Sequence, residues 1–156
     1  MAVQKTNAMR ILDSNKIKYA HYEYDPGITD GVLVADAVGK PREIVFKTLV
    51  TVGTSKTNYV FVIPVGETLD LKLAAKAVGE KSIAMIKQKE LLPLTGYIHG
   101  GCSPIGMKKQ LKTIIHHTAE AFDSICISAG KVGNQLELSP RALACLIGAE
   151  FLPLII

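Results

Sequence analysis

The sequence predicts an α+β fold: a mixed, largely antiparallel, barrel-like sheet with surrounding helices. Two observations carry this. Helical and strand patterns intermingle along the chain without a regular strand–helix–strand alternation. Several neighbouring strand patterns are also joined by turns too short for a parallel crossover. At 156 residues the chain is expected to form a single domain, residues 1–156, with enough length to bury a proper core.

The elements follow in order. "TNAMRILDSNKI" opens at a possible Thr6 cap and sets Met9, Leu12 and Ile17 loosely on one side, as a short helix would. "KYAHYEY" alternates like a strand and runs into Asp25-Pro26-Gly27, a strong turn signal. "TDGVLVADAVG" reads as a helix with Thr or Asp near its start and a glycine stop. "EIVFKTLVTVG", the polar turn "GTSKTN" and "YVFVIPV" make a hairpin. "LDLKLAAKAVG" is the clearest helix, capped by Asp70 and stopped by Gly79. "KSIAMI" is expected as a strand, "KQKELLPL" as a short helix cut by Pro93, and "TGYIHGGCSPIG" as a strand entering a glycine-rich loop. "LKTIIHH", "SICISAG" and "NQLELS" are further strands. "SPRALACLIGAE" is a helix with Ser139 as cap and Pro140 in its first turn, and "FLPLII" is a buried terminal strand.

Composition narrows the function classes. Hydrophobic residues are 48% and charged ones 21%, the balance of a globular chain rather than a disordered one. Tryptophan is absent and aromatics make up only 6%, which weakens any scheme of aromatic base-stacking platforms. The net charge of +4 suits a polyanionic partner without demanding one. Cys102, Cys126 and Cys145 are odd in number and widely spaced, so neither a disulfide framework nor a zinc knuckle is expected. "MAVQKTNAMR" lacks the apolar stretch of a leader, and no apolar run approaches ~18 residues, so a cytoplasmic protein without membrane spans is expected.

One residue breaks the strand pattern. Lys47 shares a face with Val45 and Leu49 if side chains alternate, and a lysine is rarely buried without a partner. Such an ammonium could act as a nucleophile, a base or a clamp on a carbonyl or phosphate; it could also be a snorkelling lysine on an edge strand. "HGGCSPIGMKK" places paired glycines where backbone amides can approach an anion, or where the chain simply turns tightly. It matches neither the Walker nor the dinucleotide pattern. "SAGKVGNQLEL" is a second glycine turn, with Ser128 at the end of the preceding strand. His21 and Tyr22 read most simply as packing residues. His116 and His117, adjacent in a strand, would point to opposite faces and could not share a metal. Cys102 has no partner base nearby in sequence to mark it as a nucleophile.

Taken together, "VFKTLV", "TGYIHGGCSPIGMKK", "ISAGKVGNQLEL" and the final "GAEF" resemble, in order and spacing, the YbaK/EbsC proteins, the Cys-tRNA(Pro) deacylases. That family is related to the editing domain inserted in bacterial prolyl-tRNA synthetases, and the similarity covers essentially the whole chain. The resemblance implies a barrel-like sheet with a pocket at one end, with Lys47 as the essential lysine. It also implies that Tyr22, Thr48, Gly100, Gly101 and Ser128 line the aminoacyl site. Where the family often carries an aromatic before the helix glycine, this chain has Asp30 before Gly31, which bears on pocket polarity and on selectivity for cysteine over alanine. The implied chemistry is substrate-assisted: the thiol of the attached cysteine attacks its own carbonyl and leaves as a thiolactone. No cofactor and no metal are implied. The implied partners are the 3′ end of an aminoacyl-tRNA and a prolyl-tRNA synthetase, not a membrane or DNA. Two other readings stay open at this point: hydrolytic editing of Ala-tRNA(Pro), and a non-catalytic EbsC-like binding protein.

Overall fold

The computed structural model describes residues 5–156; residues 1–4, the start of the segment read above for a leader, lie outside the described residues. In chain order the elements are α1 (Asn7–Ser14), β1 (Tyr19–Glu23), α2 (Gly31–Val38), β2 (Phe46–Gly53), β3 (Asn58–Pro64), α3 (Leu71–Val78) and β4 (Ile83–Met85). They continue with α4 (Gln88–Thr95), β5 (Lys112–His116), β6 (Ile125–Ser128), β7 (Asn134–Leu138), α5 (Pro140–Ile147) and β8 (Glu150–Leu152). The expected α+β class holds. A five-stranded sheet has the order β4-β2-β3-β5-β8, and a three-stranded sheet the order β1-β7-β6. Only β3–β5 and β5–β8 pair in parallel; the other pairings are antiparallel.

The sheet curls but does not close. The two sheets meet at one bridge, Val45 to Cys126, just before β2 begins. Beneath the curl lies the main core, in which Phe46, Val50, Val60, Ile115, Ile125, Ile127 and Leu136 are buried together with Met9 and Leu12 of α1. A second core under α3 gathers Phe61, Ile63, Ala74 and Ile114. The local signals work as capping physics requires. Asp30, Asp70 and Ser139 each accept a backbone N–H at a helix start, and Gly39, Gly79 and Gly148 each end a helix in the left-handed region.

Three expectations need correction. Residues 97–111 form no strand; they run as an irregular loop. It is tied instead by the Tyr97 hydroxyl to the Ile105 carbonyl, and by the Ser103 Oγ accepting from Ile105 N at 3.2 Å. Pro93 does not cut α4, because the helix ends at Gly96 three residues later and only a single interior bond is forfeited. His117 is not a strand residue: β5 ends at His116 and a 3-10 turn over His117–Ala121 follows, which leaves the two imidazole rings 4.6 Å apart.

Candidate active site at the open edge of β2

β2 is fully paired along one side. Its partner there is β3, in the register Phe46↔Pro64 to Val52↔Asn58. On the other side it is paired only at its ends. β4 pairs with Thr51–Gly53, Ile86 N donates to the Val50 carbonyl at 3.3 Å, and Val45 bridges Cys126 of β6. Between these anchors the chain after β4 peels away into α4, and the two sheets splay. A cavity of about 380 Å³ fills the gap. Phe46, Lys47, Thr48, Leu49 and Val50 all line it, because a strand edge presents both of its faces to such a gap.

Lys47 is half-buried, and among the described residues its ammonium takes part in no ion pair and no side-chain hydrogen bond. Burial pushes its pKa down from the ordinary lysine value, while the more distant carboxylates of Asp30 and Glu67 act against that shift. The sequence placed this residue on a strand face among apolar neighbours, and the structure puts it at the wall of a cavity.

The glycine loop supplies another wall. Gly100 lines the cavity in the left-handed region, at φ +87°. Gly101 does not line it; a Cβ there would lie 3.0 Å from Val132 N, so this glycine lets the loop pack on the turn after β6. Ser128 lines the cavity, and its Oγ accepts from Gly130 N at 3.1 Å. Cys102 also lines it, but burial pushes its thiol up to about 12, so the sulfur is protonated at neutral pH and is no nucleophile.

Two more residues expected at the site do not line the cavity. Tyr22 stands on β1 opposite Gln135, and its hydroxyl donates to Glu137 Oε1 at 2.8 Å; Lys40 pairs with the same oxygen at 3.1 Å and sits 5.0 Å from the Tyr22 ring centroid. Asp30 does not line the cavity either; its Oδ1 accepts from Val32 N at 3.0 Å and caps α2. Its carboxylate reaches Lys47 only as a distant charge.

Among the lining residues that sequence reasoning missed are Tyr24 and Gln135. Gln135 is only 6% exposed, and its Oε1 is buried without a hydrogen-bond partner; the same holds for Oγ1 of Thr48. Thr48 and Gln135 both line the cavity, while these two oxygens are themselves closed off; a buried polar atom without a partner costs about 1–3 kcal/mol. Among the described residues, no group of three His, Cys, Asp or Glu side chains is placed to hold a metal ion.

Comparison with known proteins fits this geometry. Residues 25–146 match the aminoacyl-tRNA editing domain. Over 150 residues the chain is 45% identical to EbsC of Enterococcus faecalis, covering 95% of this chain and 92% of that protein, which is provisionally named a Cys-tRNA(Pro)/Cys-tRNA(Cys) deacylase. A crystal structure provisionally described as a trans-editing enzyme for prolyl-tRNA synthetase superposes with a TM-score of 0.83 at 23% identity, covering 98% of this chain and 99% of the other. A hypothetical protein of known structure superposes with a TM-score of 0.87 at 19% identity, covering 95% and 98%. At those identities the two structures speak for the fold alone.

Proposed function

This chain belongs to the aminoacyl-tRNA editing domain family, and from that premise we propose that it is a trans-editing deacylase that removes cysteine mischarged on tRNA(Pro). The observation that carries the reading is Lys47, a half-buried ammonium unpaired among the described residues, at the open edge of a strand that walls a cavity of about 380 Å³. A cation held there has no structural use. It is of use against the phosphate or ribose oxygen at the end of a tRNA.

In the proposed reaction the sulfur of the attached cysteine bonds to its own carbonyl carbon. The carbon–oxygen bond to the terminal ribose breaks, and the thiol proton ends on the departing ribose oxygen. The products are a thiolactone and uncharged tRNA. No protein nucleophile is needed, which suits a cavity whose own thiol, Cys102, stays protonated. What the protein supplies is position and charge: Lys47 at the ribose or phosphate, and Gly100, Thr48, Ser128 and Gln135 around the aminoacyl group. Selection on the reactivity of the thiol avoids the weak discrimination that a small pocket can offer, about 1–3 kcal/mol per methylene.

The test is deacylation of Cys-tRNA(Pro), Ala-tRNA(Pro) and Ser-tRNA(Pro) by the wild type and by Lys47→Ala. Cysteine-selective turnover that falls about a hundredfold or more in the variant is expected. Turnover of the alanyl ester, which has no thiol, would replace the thiolactone route by hydrolysis; turnover of none would leave a binding protein. The same assay with prolyl-tRNA synthetase added addresses the partner and a cytoplasmic role in translation. A synthetase that lends tRNA specificity raises the rate on Cys-tRNA(Pro) relative to other cysteinyl-tRNAs, and an unchanged ratio counts against it.

A further inference from the structure

We propose that the backbone N–H of Thr48, which the pairings of β2 with β3 and β4 do not use, is the hydrogen-bond donor that holds the carbonyl oxygen of the aminoacyl ester and stabilises the charge that grows on it. The inference rests on the deacylase reading above and adds a backbone group to it.

Strand geometry fixes where this amide points. In an antiparallel pair, alternate residues turn both N–H and C=O to the same side of the strand. Val65 N donates to the Val45 carbonyl at 2.9 Å, and Gly53 N donates to the Thr57 carbonyl at 2.9 Å, so the odd-numbered residues of this segment face β3. The even-numbered residues face the other way, as the bond from Ile86 N to the Val50 carbonyl shows independently. Pro64, which has no N–H to give, sits opposite Phe46 at a position that does not require one. Thr48 is therefore an outward residue. The β4 register, continued by two residues past Ile86, would have paired it with Gln88, but Gln88 is already the first residue of α4.

No neighbouring strand takes up the amide: β3 bonds the odd-numbered residues, β4 and Ile86 reach only as far as Val50, and β6 meets this strand in a single bridge at Val45. The space in front of it is the cavity, which Thr48 itself lines together with Gln88 and Lys47. Ser128 and Gln135 line the same cavity and give it polar walls. An edge amide beside the Lys47 ammonium gives the ester two distinct supports. The rigid N–H suits the carbonyl oxygen, which gains charge as sulfur attacks, and the flexible ammonium suits the ribose oxygen, which gains charge as it leaves.

The test replaces Thr48 by its α-hydroxy acid counterpart, 2,3-dihydroxybutanoate, which keeps the side chain and turns the amide N–H into an ester oxygen. The expected result is a fall in kcat on Cys-tRNA(Pro) on the order of a hundredfold with KM little changed. The same exchange at Thr51, whose amide faces β3 and which does not line the cavity, should cost stability and not kcat. Activity within about threefold of wild type in the folded Thr48 variant overturns the proposal. Should that variant not fold, the wild type is titrated with 3′-amino-3′-deoxyadenosine carrying an amide-linked cysteine. The Thr48 amide proton should then move downfield and exchange more slowly; an unmoved Thr48 resonance at saturation overturns the proposal. A wild type that neither turns over Cys-tRNA(Pro) nor binds this analogue removes the deacylase reading, and the role of Thr48 with it. Normal wild-type turnover with an indifferent Thr48 amide removes only the latter.

Discussion

At the scale of single residues, Lys47 trades stability for function. Desolvation disfavours its charged form, and no carboxylate is close enough to repay the cost. Its folded-state pKa therefore lies below the unfolded value, so the unfolded chain binds more protons and the penalty is fully present at neutral pH. The penalty is relieved as the pH rises through the lowered value toward the ordinary one. Lys47→Met should accordingly raise stability at pH 7 by about 0.5–2 kcal/mol while abolishing deacylation, and the stability gain should shrink toward pH 10; thermal melts across that range check it. This residue was legible in the sequence because a charge in an apolar strand is an anomaly. Gln135 was not. In "NQLEL" a glutamine looks like an ordinary outward-facing polar residue, and only the packing of α2 over that face of the smaller sheet turns outward into buried. Tyr22 and Tyr24 share a face in an alternating strand, so alternation could not choose between them. Tyr24 reaches the cavity because its N–H bonds the Gly133 carbonyl at 2.9 Å and carries the chain one step past the end of β1.

At the scale of elements, α2 is the closely seated wall. Its first residue, Gly31, lies so close to β3 that a Cβ would meet Val65 Cγ1 at 2.7 Å, and both residues line the cavity. Gly31→Ala must push α2 or Val65 away. The expected cost is about 1–3 kcal/mol of stability, with a KM for Cys-tRNA(Pro) raised more than kcat is lowered. Denaturant melts and steady-state kinetics together check this, and an unchanged KM in a destabilised protein would mean that α2 does not shape the site. The helix itself was readable, since Asp30 and Gly39 are a cap and a stop by residue type alone. The path of residues 97–111 was not. "TGYIH" has the apolar content of a strand, but Tyr97 spends its hydroxyl on the Ile105 carbonyl and folds the segment back on itself, a long-range choice that local pattern cannot carry.

At the scale of the whole molecule, β8 and the segment after it close the far end of the larger sheet, held in part by His116. Its Nδ1 accepts from Leu154 N at 3.0 Å, which requires a ring without a proton on that atom. Burial, with His117 beside it, holds this imidazole below its usual pKa, and Glu67 acts the other way. The bond is thus fully present above about pH 6.5, the unfolded value, and is lost as the pH falls through the lower folded value. The melting temperature should drop on acidification from pH 7 to about 5, and His116→Gln should flatten that part of the profile; parallel profiles would show that His116 does not govern it. The α+β class and the mostly antiparallel pairing could be read from turn lengths. The incomplete closure could not, because it depends on where β4 stops pairing, and that is set by α4 starting at Gln88. The same unpaired stretch bears on solubility. A bare strand edge ordinarily invites a strand from another chain, the first step toward aggregation and fibrils. Here β4 and β6 stand at either end of the opening, so a second copy cannot lay a run of backbone along it, whereas a compact acyl group can enter. This stretch of edge is kept for chemistry and denied to a second strand.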